Sequence, residues 1–194
     1  MLKGIDQRLS AEVVHALMLM GHGDNLVICD VNHPAASIAA KTTYGRLIDM
    51  AGCDIATGLS AILTLMPLDT FVDGPVTRMQ VVGDPGGEVP IFGRVQAVID
   101  RAEGRAVAMQ AVERFAFYTA AQAAFCIIRT SDSGPYGCFH SEKGRGGFTA
   151  ALDKEPPAGF FLTEKTIRQA GGVNSAAMSF VASYRRRNSG YWRI

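Results

Sequence analysis

The run Leu26-Val27-Ile28-Cys29 constrains the fold of this chain more than any other stretch. Consecutive apolar residues, with β-branched side chains among them, make a strand with no solvent face, so both of its sides must be covered. A helix precedes it. Val13, Val14, Leu17 and Met20 recur at helical spacing, Ser10 supplies an N-cap, and Glu12 sits in the first turn. Between helix and strand lies Gly21-His22-Gly23-Asp24, where glycine lets the backbone turn tightly and leaves the imidazole uncrowded. Asp30 closes the strand, and in open α/β sheets ligands bind at the carboxyl ends of strands.

The same alternation continues downstream. Asn32 and Pro34 mark residues 31–37 as a loop. Leu47 to Met50 reads as a short strand, and Asp54 caps a helix carrying Ile55, Leu59, Ile62, Leu63 and Met66, which ends at Pro67. Leu68-Asp69-Thr70 is a loop, Val76 to Val82 a strand, and Gly83 to Gly87 a turn cluster. A helix is predicted from Pro90 to Arg101, a strand from Ala106 to Val112, and a short alanine-rich helix after Glu113. Ala124 to Arg129 is another buried strand, and Ser133-Gly134-Pro135 turns the chain into a last strand starting near Tyr136. Strands alternating with helices of about ten residues imply a layered α/β fold. The pattern stops near Gly144, so residues 1–144 read as the domain and 145–194 as a C-terminal extension, expected to be poorly ordered.

With 194 residues the chain suffices for a sizeable core, and its net charge of +1 gives no case for nucleic acid or an anionic membrane surface. No apolar run approaches the ~20 residues of a membrane span, and the N-terminus lacks the apolar stretch of a signal peptide. Cys29, Cys53, Cys126 and Cys138 form no CxxC pair, and the histidines have no metal-ligand spacing; no metal and no cofactor is expected. Buried free thiols suit the cytoplasm.

Among residues able to do chemistry, His22 stands first, because imidazole titrates near neutral pH and can both give and take a proton. The bland alternative is a helix-end surface histidine. Asp30 could hold substrate hydroxyls, orient a base or simply cap a neighbouring loop, and Asp69 lies where aspartate is common for turn reasons. Arg114 and Tyr118 are four apart and share a face of a helix, with the guanidinium suited to oxygen ligands. Tyr136-Gly137 could offer a phenol and backbone groups.

Taken together, these segments resemble the L-fucose mutarotase / D-ribose pyranase family. Met1-Leu2-Lys3-Gly4-Ile5, Met20-Gly21-His22-Gly23-Asp24, Pro67-Leu68-Asp69-Thr70, Glu113-Arg114-Phe115-Ala116-Phe117-Tyr118 and Tyr136-Gly137 stand in the family's order, from Met1 to about Gly144. The arginine–phenylalanine–tyrosine segment is similar to the fucose branch. The resemblance implies a three-layer α/β/α fold with a mixed sheet and a cofactor-independent isomerase that interconverts the anomers of a free monosaccharide. It also implies ring assemblies, commonly homodecamers, with sites at subunit interfaces. His22 matches the proton donor, Asp69 and Tyr118 match residues implicated in catalysis, and Asp30, Arg114, Tyr136 and Gly137 match substrate-binding positions.

Two departures stand out. The substrate-binding segment normally ends in asparagine and here ends in Cys138, and a thiol cannot reproduce an amide's paired donor and acceptor. Phe139-His140-Ser141-Glu142 is too polar for the family's apolar strand, and the family ends near Gly144. These departures keep two rivals open: a non-catalytic sugar-binding or transport-accessory protein, and a D-ribose pyranase-type activity. The strand itself sets a distance. Leu26 to Cys29 spans roughly 13 Å when extended, which places His22 and Asp30 at opposite ends, farther apart than a hexose reaches. Another subunit would then have to complete the site.

Overall fold

Ser10 caps α1, Ala11–Leu19, its hydroxyl accepting the Val13 N–H, and the chain then enters β1, Asn25–Cys29. The computed structural model describes residues 2–145; apart from Arg145, the extension read at 145–194 lies outside them. Residues 31–37, read as a loop, instead lead into a short helix, α2, Ala35–Ala39. A single turn cannot hold itself in water. Ala35, Ile38 and Ala39 are buried, so packing decides this helix rather than propensity.

β2, Leu47–Met50, follows as expected. Asp54 caps α3, Ile55–Ile62, by accepting the Thr57 N–H, and the segment to Met66 continues as turns. β3 covers only Val76–Met79 of the expected Val76–Val82, because Val81 bridges back to Asp84. α4, Pro90–Glu103, β4, Met109–Val112, α5, Arg114–Gln122, and β5, Cys126–Thr130, come next.

The last strand, β6, is Cys138–Glu142, and here the expectation from polarity fails. The segment pairs antiparallel with β1 on one side and with β3 on the other, in the middle of the sheet. Two ladders satisfy its backbone, which outweighs the polar side chains. His140 is buried, Nε2 facing the Phe117 carbonyl oxygen at 3.3 Å, and burial lowers its pKa to about 4. The imidazole therefore stays neutral at ordinary pH.

The sheet order is β2-β5-β1-β6-β3-β4, with β6 antiparallel to its neighbours and the other pairings parallel. Strand periodicity sorts the core into two layers. Leu26, Ile28, Cys126, Ile128 and Phe139 pack with Val13 and Leu17 of α1, Ile55 and Leu59 of α3, and Phe92 and Val95 of α4. Val27, Cys29, Ile127 and Cys138 pack on the other face with Ile38 of α2 and Phe117 of α5. The result is a three-layer α/β/α fold around a mixed sheet. Each fully buried Leu or Ile contributes about 1.5–3 kcal/mol.

Candidate functional site

Polar residues gather at both ends of β1. At its start, Lys143 closes α1: its Nζ donates to the Leu17 and Met20 carbonyl oxygens at 2.7 and 2.6 Å, at the end of the helix where carbonyls run out of intrahelical donors. The Gly23 N–H donates to the Lys143 carbonyl oxygen at 2.9 Å, and the Asp69 N–H donates to that of Glu142 at 3.1 Å. The continuation of β6 thus holds the His22 loop and the Asp69 loop side by side. Gly144 is required there, because a Cβ at that position would lie 2.4 Å from the Leu68 carbonyl oxygen.

His22 Nε2 lies 2.8 Å from Asp69 Oδ2, with the imidazole 44% exposed and the carboxylate side chain 3% exposed. Asp69 Oδ1 accepts the Phe71 N–H at 2.9 Å. That N–H, followed by His22, holds the Asp69 carboxyl below its ordinary pKa. An ionised carboxylate only accepts, so His22 Nε2 carries the proton toward Asp69 and Nδ1 is the nitrogen open to a proton in transit. Phe71, itself exposed, stacks edge-on against the imidazole at 5.6 Å.

The far end of β1 is built differently. Asp30 is buried, and both of its oxygens are engaged. Oδ1 accepts the Asn32 and His33 N–H groups at 2.8 and 3.1 Å. Oδ2 accepts the Gly137 N–H at 2.9 Å and faces the Cys138 thiol at 3.7 Å. A Cβ on residue 137 would meet Asp30 Cβ and Ile55 Cγ1, each at 3.1 Å, so glycine permits this approach. Asp30 therefore braces the loop after β1 against the start of β6. The Cys138 thiol turns inward to Asp30 and to His33 Nδ1, 3.6 Å away, and burial raises its pKa.

Arg114 and Tyr118 share a face of α5, as their spacing predicts. Glu113 caps that helix by accepting the Phe115 and Ala116 N–H groups. Tyr118 is half-buried, with its pKa raised chiefly by burial, and stacks edge-on against His33 at 5.3 Å. The Arg114 guanidinium lies over the Phe115 ring at 4.8 Å, while its Nε is buried without a partner. Tyr136 adopts a left-handed backbone, φ 61°, and its hydroxyl accepts the Val82 N–H at 3.1 Å.

The structure therefore brings His22 together with Asp69, and separately brings Asp30 together with Gly137 and Cys138, with Tyr118 meeting them through His33. It does not bring His22 to Asp30 within the chain, since β1 separates them by about 16 Å of extended backbone. A cleft of about 870 Å³ lined by residues including Ile5, Asp6, Arg8 and Thr64 lies apart from both groups. His33 is the residue sequence reasoning missed. Its signal was the position three residues after a strand-ending aspartate, where a side-chain-capped turn folds the ring back over the strand end. Among the described residues no cluster of three or more His, Cys, Asp or Glu could hold a metal ion, and no helix is long and apolar enough to cross a membrane.

Comparison with known proteins points one way. The model of the RbsD / FucU transport protein family matches residues 3–145. Human fucose mutarotase is 37% identical over 146 residues, covering 74% of this chain and 93% of that protein. Two crystal structures share the fold. FucU from Bifidobacterium longum has a TM-score of 0.68 at 38% identity, over 73% of this chain and 98% of the other. The fucose mutarotase from Streptococcus pneumoniae in complex with L-fucose has a TM-score of 0.66 at 34% identity, over 74% and 99%.

Proposed function

This chain belongs to the RbsD/FucU family, and from that membership we propose that it is a cofactor-independent isomerase that interconverts the α and β anomers of a free monosaccharide, L-fucose or a close relative. The observation that carries the reading is the exposed His22 imidazole braced by the buried Asp69 carboxylate at 2.8 Å, in a chain 34% identical to a fucose mutarotase crystallised with L-fucose.

The chemistry is ring opening. An acid gives a proton to the ring oxygen while a base takes the proton of the anomeric hydroxyl. The bond from the anomeric carbon to the ring oxygen breaks, the carbonyl rotates, and the ring closes on either face. Acid–base groups positioned near neutral pKa typically give ~10²–10⁴-fold each. In its protonated form His22 acts as the acid through Nδ1, with Asp69 holding Nε2–H and fixing the ring, and with Tyr118 as partner. Arg114, Tyr136 and Gly137 hold the hydroxyls, and the Asp30–Cys138 corner fixes the loops that present them.

Because the two groups lie at opposite ends of β1, the complete site takes His22 and Asp69 from one chain and the Asp30–Tyr118 group from a second. A ring assembly such as a homodecamer provides that arrangement, and a monomeric variant should lose turnover. Residues 1–144 are read as the catalytic domain and 145–194 as an extension without family counterpart. Four free buried cysteines support a cytoplasmic setting.

Cys138 in place of asparagine favours the rival, a sugar-binding or transport-accessory protein without turnover. Magnetisation-exchange NMR between the anomers of L-fucose, with D-ribose in parallel and His22→Ala as control, decides. Accelerated fucose exchange abolished in the variant supports the isomerase. Sugar binding with no acceleration supports the rival, and acceleration for D-ribose alone supports the pyranase-type activity.

A further inference from the structure

His33 carries an unsatisfied demand that the reaction above does not use. The residue is 94% buried by its 6% exposure, and its Nε2 has no hydrogen-bond partner. Buried polar atoms are nearly always paired, so an orphan calls for an explanation. The ring is otherwise well fixed. Its backbone N–H donates to Asp30 Oδ1, its Nδ1 lies 3.6 Å from Cys138 Sγ, and its faces and edges meet Tyr118 and Phe117 at 5.3 and 6.0 Å.

The thiol decides which nitrogen does what. Cys138 has a single S–H, and Asp30 Oδ2 at 3.7 Å takes it. The sulfur then accepts, so His33 Nδ1 carries the proton and Nε2 presents a lone pair. Burial holds the imidazole in its neutral form. Next to Tyr118 on the same face of α5, Arg114 Nε is a buried donor that also lacks a partner. One unmatched acceptor and one unmatched donor flank the same tyrosine. A sugar hydroxyl is both donor and acceptor, so it can meet either demand.

We propose that His33 is a sugar-binding residue of this chain: its Nε2 accepts a hydrogen bond from a hydroxyl of the monosaccharide, and Cys138 holds the ring in the orientation that presents it. The inference rests on the isomerase reading. It assigns the recognition lost with the family's asparagine amide to an imidazole on the neighbouring loop.

The test is the anomer-exchange kinetics of His33→Phe and His33→Gln with L-fucose. Phenylalanine keeps the ring shape and removes the nitrogen; glutamine restores a polar group near the Nε2 position. Loss of a contact made equally in ground and transition states raises KM and spares kcat, so His33→Phe should raise KM about tenfold with kcat changed by less than about twofold. His33→Gln should recover most of the loss, and thermal stability should not fall. An unchanged KM in His33→Phe overturns the proposal, and so does a raised KM that glutamine fails to rescue, since that would be packing alone. Should His33→Phe not fold, the ¹⁵N resonance of His33 Nε2 in the wild-type protein is followed during titration with L-fucose; a shift supports the contact and an unmoved resonance refutes it. If the wild-type protein accelerates exchange of no sugar, the isomerase reading fails and this inference falls with it. Acceleration with an indifferent His33 removes this inference alone.

Discussion

The two ends of β1 solve opposite problems with the same residue types. At the start, His22 meets Asp69 with the imidazole 44% exposed and held by loops that β6 clamps together. At the finish, Asp30 and His33 are buried, and the Asp30 carboxylate is saturated by backbone N–H groups and a thiol. An open imidazole oriented by a carboxylate is the arrangement that the proposed proton transfer calls for. A carboxylate used up in fixing loops gives the rigid frame that the proposed sugar recognition calls for. An aspartate and a histidine thus do different work according to burial alone.

Replacing His22 separates the ends most sharply. His22→Ala should lower the rate of anomer exchange by about 10²–10⁴-fold while leaving the melting temperature nearly unchanged, because the side chain lies outside both core layers and is 44% exposed. A variant that keeps most of the rate would move the chemistry away from this end. Asp30→Ala should do the reverse. It strands the N–H groups of Asn32, His33 and Gly137, and should cost about 2–4 kcal/mol of stability in denaturant titration. A stability loss below about 1 kcal/mol would mean that this corner is not the brace it resembles.

His140 sits between the ends, opposite Val27 at the middle of β1. Burial depresses its pKa from 6.5 to about 4. The unfolded chain therefore binds a proton below pH 6.5 that the folded chain refuses until about pH 4. Stability is fully present above pH 6.5 and should fall as pH drops through that window, by at most about 3 kcal/mol. Buried His33 pushes in the same direction. Chemical unfolding across pH 4–7 should show this slope, and His140→Phe should flatten most of it; an unchanged slope would assign the effect elsewhere. The smallest effect is expected for Asp69→Asn, which keeps the shape and removes the charge that orients His22. Its exchange rate should drop by about tenfold, in line with the loss of an orienting partner, with little change in the melting temperature.

Much of this architecture is visible before any coordinates. Ser10 and Asp54 cap the helices they were read to cap, and Leu26 to Cys29 and Leu47 to Met50 are strands where alternation placed them. The separation of His22 from Asp30 follows from strand length alone. These properties are local: a cap, a period and a rise per residue depend on a few neighbouring positions.

Tertiary structure decided the rest. β6 is polar in composition and becomes a central strand because β1 and β3 offer it ladders on both sides. Ala35–Ala39 is helical because the sheet covers it. Asp30 finds Gly137 and Cys138 more than a hundred positions away, and that contact rather than any motif turns Cys138 toward His33. Such pairings join residues remote in sequence, and their energy depends on which groups water leaves unpaired once the layers close.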